Sequence, residues 1–339
     1  MTMNRAMRVA GIGEVLMDVF ENGEATLGGA PFNVVFHLHQ LLTALSMGDA
    51  VFLSAVGRDP FGISIRKAVA AAGMPTGYLA DVDRPTGSAL VIEQEGGAGF
   101  EIQPDVAWDF IRLSDSACEL AQRCDAVVFG SLAQRSEISR ESIRHFVAQV
   151  SGHRLYDVNL RRNTTDGVAG YTAEIIASSL KLASLVKMND VELDEVASLL
   201  GFTPESPDPE ERTRLLMERL RVEFSLAAVA ITRGAKGALL ASQGKHLSLP
   251  DSKLDQSLVH PVGAGDSFAA GLLFGIMQGW APEHSLELAD ILSNWVVRHA
   301  SATPPLPERV LLQVRDLVAR AGKTTASCSK PFANAAPRN

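Results

Sequence analysis

Along most of this chain, short runs of consecutive apolar residues alternate with longer stretches whose apolar positions recur every three to four residues. The first kind reads as buried strand and the second as amphipathic helix. "MRVAGIGEVLMDVF" reads as a buried strand that ends near a glycine turn. "PFNVVFHLHQLL" follows with helical spacing, and Pro31 stands where a first helical turn tolerates it. "AVFLSAVGRDPFG" is strand then loop, and "ISIRKAVAAAG" is a helix stopped at Gly73. "DAVVFG", "HRLYDVNL", "SLVKMN" and "LAAVAITRG" are further strands. "SRESIRHFVAQV", with Ser139 as its cap, "AEIIASSLKLA" and "DVELDEVASLL" are helices between them. Two segments break the rhythm. "TGSALVIEQEGGAGFEIQ" alternates apolar and polar around a glycine-rich turn, the mark of a hairpin with one exposed face. "AKGALLASQGKHLSLP" reads as a second hairpin. "TPESPDPEERT" is a surface loop, two helical segments follow "HPVGAGDSFAAG", and the tail from 321 to 339 has no periodicity.

Strands that alternate with helices over most of a chain predict a parallel sheet covered on both faces. The two hairpins do not fit that layer and predict a small secondary sheet, a candidate lid. Ligands of such folds sit at the carboxyl ends of the strands, so polar residues at strand ends are the candidates for chemistry.

Composition narrows the class. The 339 residues are 46% hydrophobic and 21% charged, with a formal net charge of −8. That is ordinary for a soluble globular protein and argues against a nucleic-acid partner, which calls for a basic face. The three cysteines, Cys118, Cys124 and Cys328, fit no metal site and no disulfide framework, so a reducing cytoplasm is expected. Glu14 and Asp18 interrupt the first apolar stretch and make it a poor signal peptide. The run from Phe268 to Trp280 is too short to span a bilayer, so no membrane association is expected.

Familiar nucleotide motifs are missing. "GIGEVL" lacks the third glycine and the downstream acid of a dinucleotide fingerprint, no P-loop is present, and the protein-kinase set is absent. The candidate chemistry lies elsewhere. Gly263, Ala264 and Gly265 lead into Asp266 and an apolar helix. Small residues there let backbone N–H groups face an anion at the positive helix end, and Asp266 either caps the helix or accepts a proton from a hydroxyl that attacks a bound phosphate. Asn189 and Glu192 lie three apart at a strand-to-helix junction, either a cap or a pair that orients water around phosphate-bound Mg²⁺. Asp18, Gly28, Gly29 and Asn33 combine close backbone approach with side chains able to hold vicinal hydroxyls, or form an ordinary turn and cap.

In their order, "GGAPFNV", "SAVGRDPFG", "DVNLR", "KMNDVE", "ITRGAKG" and "GAGDSFAAG" resemble the PfkB, or ribokinase-like, family of sugar kinases from about Arg8 to Arg320. The wording of "GEVLMD", "GGAPFNV", "PDVAWD" and "DVNLR" is similar to the fructokinase branch. The resemblance implies one kinase domain over 8–320. Its fold is three-layer α/β/α with a mainly parallel central sheet and a small β-sheet lid built from about 14–29 and 86–106, including the glycine-rich "EGGAGF" turn. It implies ATP-dependent phosphorylation of a primary hydroxyl of a small sugar, fructose first, with ribose, 2-keto-3-deoxygluconate or a nucleoside as alternatives. By position, Asp266 is the catalytic base and the amides from Val262 to Gly265 form the anion hole. Lys187, Asn189 and Glu192 serve Mg²⁺–ATP, with Glu192 reaching the metal through water. Thr232, Gly234 and Gly237 approach the nucleotide. Asp18, Gly28, Gly29, Asn33 and Asn159 bind sugar. Arg161 either contacts phosphate or sugar or belongs to a structural ion pair. Many relatives dimerise through the lid, so a homodimer is expected.

The chain also departs from the family pattern. His260 and Pro261 replace an Asp-Thr pair that in the family lies near a monovalent-cation site. Imidazole is a poor K⁺ ligand, so K⁺ activation is in doubt, and Pro261 fixes φ and removes an amide. "LTALSMGD" is a few residues longer than usual, and "RNTTDG" stands where a proline-containing segment is usual. A second class is a non-catalytic sugar- or nucleotide-binding regulator on the same fold, supported by His260-Pro261 alone and opposed by Asp266, Asn189 and Glu192.

Overall fold

The computed structural model describes residues 5–94, 97–163, 165–203, 206–242, 244–251, 254 and 260–325. The first third of the chain holds β1 (Met7–Ile12), β2 (Leu16–Phe20), β3 (Ala25–Gly28), α1 (Ala30–Ala44), β4 (Gly48–Val56), α2 (Pro60–Ala71), β5 (Leu79–Asp81), β6 (Ser88–Gln94) and β7 (Gly97–Ile102). The middle holds α3 (Asp115–Ala121), β8 (Ala126–Gly130), α4 (Glu137–Gln149), β9 (His153–Asp157), α5 (Ala173–Leu182), β10 (Leu185–Asn189), α6 (Asp190–Leu199) and α7 (Pro209–Glu223). The last part holds β11 (Ala228–Thr232), β12 (Ala238–Ser242), β13 (Lys245–Leu249), α8 (Ala264–Met277), α9 (Pro282–Val296) and α10 (Glu308–Thr325).

A nine-stranded sheet runs in the order β13-β12-β11-β10-β9-β8-β1-β4-β5. It is parallel from β11 to β5, and the β12–β13 hairpin adds an antiparallel edge. Neighbouring residues of one strand feed opposite cores. Ala10, Val51 and Leu53 join Ile143, Ile176 and Leu193 on one face. Val9, Ala50 and Phe52 join Phe32, Leu272 and Leu288 on the other. Continuous apolar strands are thus buried on both faces, with α3 to α7 on one side and α1, α2, α8, α9 and α10 on the other. A separate four-stranded sheet, β3-β2-β6-β7, stands apart from these layers. The architecture is the three-layer α/β/α fold with a small second sheet that the sequence predicts. No helix among the described residues is long and apolar enough to cross a membrane.

Four local expectations change. "AKGALLASQGKHLSLP" forms the β12–β13 hairpin, but it pairs with β11 and extends the main sheet as its antiparallel edge, taking no part in the small sheet. "MRVAGIGEVLMDVF" is two strands in two different sheets, because the chain leaves the main sheet after Ile12 and enters the small one at Leu16. Ser136, not Ser139, precedes α4. Ser139 is buried inside the helix, donates to the Trp108 carbonyl at 2.7 Å and accepts from the Ile111 N–H at 2.9 Å. Helix α10 runs to Thr325 and so takes in the first residues of the tail read as unstructured. The rest of that tail, and Glu95 and Gly96 of the "EGGAGF" turn, lie outside the described residues.

Candidate active site

The carboxyl ends of β9, β10 and β11, the start of α8 and the small sheet enclose a cleft of about 650 Å³. Helix α8 opens at Gly263, whose φ of 81° lies in the left-handed region. The turn is crowded as well as strained, since a Cβ on Gly263 would stand 2.7 Å from Ala302. Val262, Gly263, Ala264 and Gly265 all line the cleft. First-turn amides lack intrahelical acceptors and carry the positive end of the helix dipole, so this end suits an anion. One of the four predicted amides is already engaged, as the Ala264 N–H donates to the Pro261 carbonyl at 3.3 Å.

Asp266 stands in the same first turn and is nearly buried, at 9% exposure. Its Oδ2 accepts from Asn33 Nδ2 at 2.8 Å across 233 residues of sequence. Asn33 comes from the first turn of α1, the opposite wall, and its own Oδ1 is buried without a partner among the described residues. Helix α1 follows directly on Gly29, where φ is 111° and a Cβ would stand 2.5 Å from the Glu14 carbonyl.

Glu14 and Asp18 complete this end. Glu14 is buried, and its Oε2 has no partner among the described residues. Burial pushes its carboxyl up to about 7, and Asp266 adds to that while Arg161 opposes it. Asp18 behaves alike, pushed up to about 7 by burial against the pull of Arg161. Gly28 is not part of the lining. It supplies space, because a Cβ there would meet the Asp18 carboxylate at 2.2 Å. Asn159 and Arg161 line the cleft beyond β9, and Asn159 adopts a φ of 39°, which Asn tolerates. Arg161 bonds the Leu160 carbonyl at 3.0 Å and lies 5.1 Å from the Phe100 ring centre. It forms no ion pair with a carboxylate among the described residues.

The other end is self-contained. Lys187 and Asp157 are register partners on the parallel strands β10 and β9. Lys187 Nζ lies 3.1 Å from Asp157 Oδ1, and both side chains are buried. Burial opposes the ammonium, but Asp157, Glu192 and Asp266 together outweigh it and raise the lysine pKa. The ammonium also reaches α8, since a Cβ on Gly265 would stand 2.6 Å from Nζ. Asn189 and Glu192 form a capping box on α6: Asn189 Oδ1 accepts from the Glu192 N–H and Glu192 Oε2 from the Asn189 N–H, each at 2.8 Å. Glu192 Oε1 accepts from the Leu160 N–H at 2.8 Å. No cluster of three acidic, His or Cys ligands exists among the described residues. Both Glu192 oxygens already serve backbone donors, which fits a metal held at one remove through water better than direct ligation. A nucleotide-borne Mg²⁺ keeps most of its waters and needs few protein donors. Thr232, Gly234 and Gly237 line the outer part with Leu249 and Pro250. A Cβ on Gly237 would collide with the Leu249 and Pro250 carbonyls at 2.4 Å.

Every predicted site residue except Gly28 therefore lines one cleft. Sequence reasoning missed Glu14, read there as a mere interruption of an apolar run, and Asp157, quoted within "DVNLR" without a role. A lone acid inside a continuous apolar run is the signal that marks both.

The family description that matches residues 1–309 is pfkB family carbohydrate kinase. An uncharacterized sugar kinase of Pyrococcus horikoshii is 28% identical over 284 residues, 80% of this chain and 83% of that one. Its crystal structure matches with a TM-score of 0.73 over 91% of this chain and 98% of that one, at 26% identity. The fructokinase of Escherichia coli is 27% identical over 285 residues, 78% of this chain and 83% of that one. A fructokinase crystal structure with bound ATP from Xylella fastidiosa reaches a TM-score of 0.74 over 93% of this chain and 99% of that one. At 20% identity this is a likeness of fold.

Proposed function

The chain belongs to the pfkB family of carbohydrate kinases, and we propose that this ATP-dependent sugar kinase phosphorylates a primary hydroxyl of a small neutral sugar, fructose first. The observation that carries the reading is Asp266, held by Asn33 at the point where the two ends of the cleft meet.

In this reading the hydroxyl donates to Asp266 Oδ1, because Asn33 occupies Oδ2. As the hydroxyl oxygen bonds to the γ-phosphorus, the bond from that phosphorus to the bridging oxygen breaks, ADP leaves and Asp266 takes the proton. Amides at the start of α8 meet the charge on the transferred group, and Lys187 stands beside them. Such chemistry asks a protein mainly for positioning and charge neutralisation. Mg²⁺, when bound with the nucleotide, neutralises the phosphates; Asn189 and Glu192 orient its waters. Thr232, Gly234 and Gly237 bound the nucleotide.

Glu14, Asp18, Asn33, Asn159 and Arg161 take the sugar. Three acidic groups, Glu14, Asp18 and Asp266, face a single guanidinium and leave no excess of positive charge for a second phosphate, which favours a neutral sugar over a sugar phosphate. The fructokinase-like motifs support fructose. ATP consumption over a panel of fructose, ribose, 2-keto-3-deoxygluconate and fructose phosphates tests the reading, with fructose expected to give the highest kcat/KM. A phosphorylated sugar at the top of the panel would overturn the neutral-sugar assignment.

A further inference from the structure

One face of α1 reaches beyond Asn33. Residues 297–307, which join α9 to α10, cross this face as a strap. His37, one turn after Asn33, bonds the Ala302 carbonyl through Nε2 at 2.9 Å. Gln40 follows, donating to the Pro304 carbonyl at 3.3 Å and accepting from the Leu306 N–H at 2.8 Å. Positions 33, 37 and 40 share one helical face. Thus one stripe of α1 holds Asp266 with its first member and the strap with the next two.

The strap in turn touches the anion-binding turn. Ala302 packs so closely on Gly263 that no side chain fits between them. At the strap's other end the Val297 carbonyl accepts from the His260 N–H at 2.7 Å. The turn from His260 to Gly263 is therefore gripped at both ends by residues 297–302. His37 is wholly buried, and burial pushes its imidazole down to about 4, so it is neutral. With a carbonyl as partner its proton sits on Nε2. A charge-independent donor of this kind gives the same grip throughout the neutral range.

We propose that His37 is a positioning residue for phosphoryl transfer: through Ala302 it sets the place of Gly263 and hence of the α8 amides that receive the transferred group. The inference rests on the assignment of those amides as the phosphate site.

The test compares full-length wild type with His37→Leu, His37→Gln and Gln40→Leu. The measurements are kcat, KM for the sugar, affinity for ADP alone, affinity for ADP with aluminium fluoride, and Tm. His37→Leu keeps the volume and removes the donor. A misplacement of about 1 Å costs up to ~10²-fold in rate, so kcat should fall roughly 10- to 100-fold. Affinity for ADP–aluminium fluoride should fall in parallel, while sugar KM and ADP affinity stay near wild type. His37→Gln, whose amide can still donate to Ala302, should recover most of the rate. Unchanged kcat in His37→Leu, or equal losses in the Leu and Gln variants, would overturn the proposal, as would a loss of plain ADP affinity equal to the loss of kcat. Should His37→Leu not fold, Gln40→Leu decides alone: a selective fall in kcat supports the strap's role and an unchanged kcat overturns it. Absence of sugar turnover in the wild type fails the kinase assignment instead, whereas wild-type turnover matched by the variants fails this inference only.

Discussion

The two ends of the cleft are built in opposite ways. At the end proposed for the nucleotide, Lys187 is paired with Asp157, and Glu192 accepts from the amides of Asn189 and Leu160. At the end proposed for the sugar, Glu14 Oε2 and Asn33 Oδ1 are buried without partners among the described residues, and burial holds the Glu14 and Asp18 carboxyls up near 7. A buried polar atom left unpaired costs about 1–3 kcal/mol, so the sugar end keeps an unmet demand that a polyhydroxy ligand can answer. At the opposite end Lys187 and Glu192 already have partners within the protein.

The sharpest way to separate the halves is Asp266→Asn, which keeps the shape and the Asn33 contact but cannot take a proton. Turnover should fall by ~10²- to 10⁴-fold with sugar affinity retained, and near-normal turnover would refute the base assignment. Next, Lys187→Met removes the cation that opposes the burial of Asp157, whose carboxyl is already pushed up to about 7, and the buried group left without its partner should cost roughly 3–5 kcal/mol in denaturant unfolding. Adding Asp157→Leu should restore much of this, since replacing both partners removes the orphaned polar group. A single variant as stable as wild type would show that the nucleotide end is not held by this pair.

The sugar end is probed by pH. Glu14 is easier to protonate folded than unfolded, its pKa rising from 4.5 to about 7. Its contribution is therefore fully present below 4.5 and is lost as pH rises through 7. Asp18 acts in the same direction from 3.8. At 1.36 kcal/mol per pKa unit, Glu14→Gln should flatten the decline in unliganded stability by on the order of 3 kcal/mol across that window. Parallel stability curves for variant and wild type would mean that the carboxyl is not desolvated. The smallest effect is expected from the bulk cation. With His260-Pro261 at the start of the α8 turn, turnover in K⁺ and in tetramethylammonium should agree within about twofold, under ~0.5 kcal/mol of barrier. A large K⁺ stimulation would restore the cation site to the mechanism.

How far the sequence reveals all this depends on how local each signal is. Asp266, the Asn189–Glu192 box and the Gly28–Gly29 pair sit at element junctions, where residue type and spacing within a few positions carry the meaning. The alternation of buried strands and helices is equally local, and it yields both sheets. Lys187 and Asp157 meet only because β9 and β10 lie side by side in one register, and His37 meets Ala302 across 265 residues. Nothing near either residue announces the partner. Glu14 shows the same limit from the other side: its burial decides its chemistry, and burial is a property of the assembled fold. Ser139 misleads as a cap because a serine before an apolar run carries no mark of whether its hydroxyl faces its own helix or, as here, the Trp108 carbonyl.

The Asn33–Asp266 bond and the grip of Ala302 on Gly263 join the first helix of the chain to its last stretches. During synthesis, when amino-terminal segments emerge and organise first, a growing chain shorter than about 302 residues lacks part of this assembly. The main sheet, complete at Leu249, precedes the catalytic turn in order of appearance. A polypeptide that has grown past Leu249 but not yet to residue 266 accordingly has the scaffold but not the proposed acceptor of the hydroxyl proton.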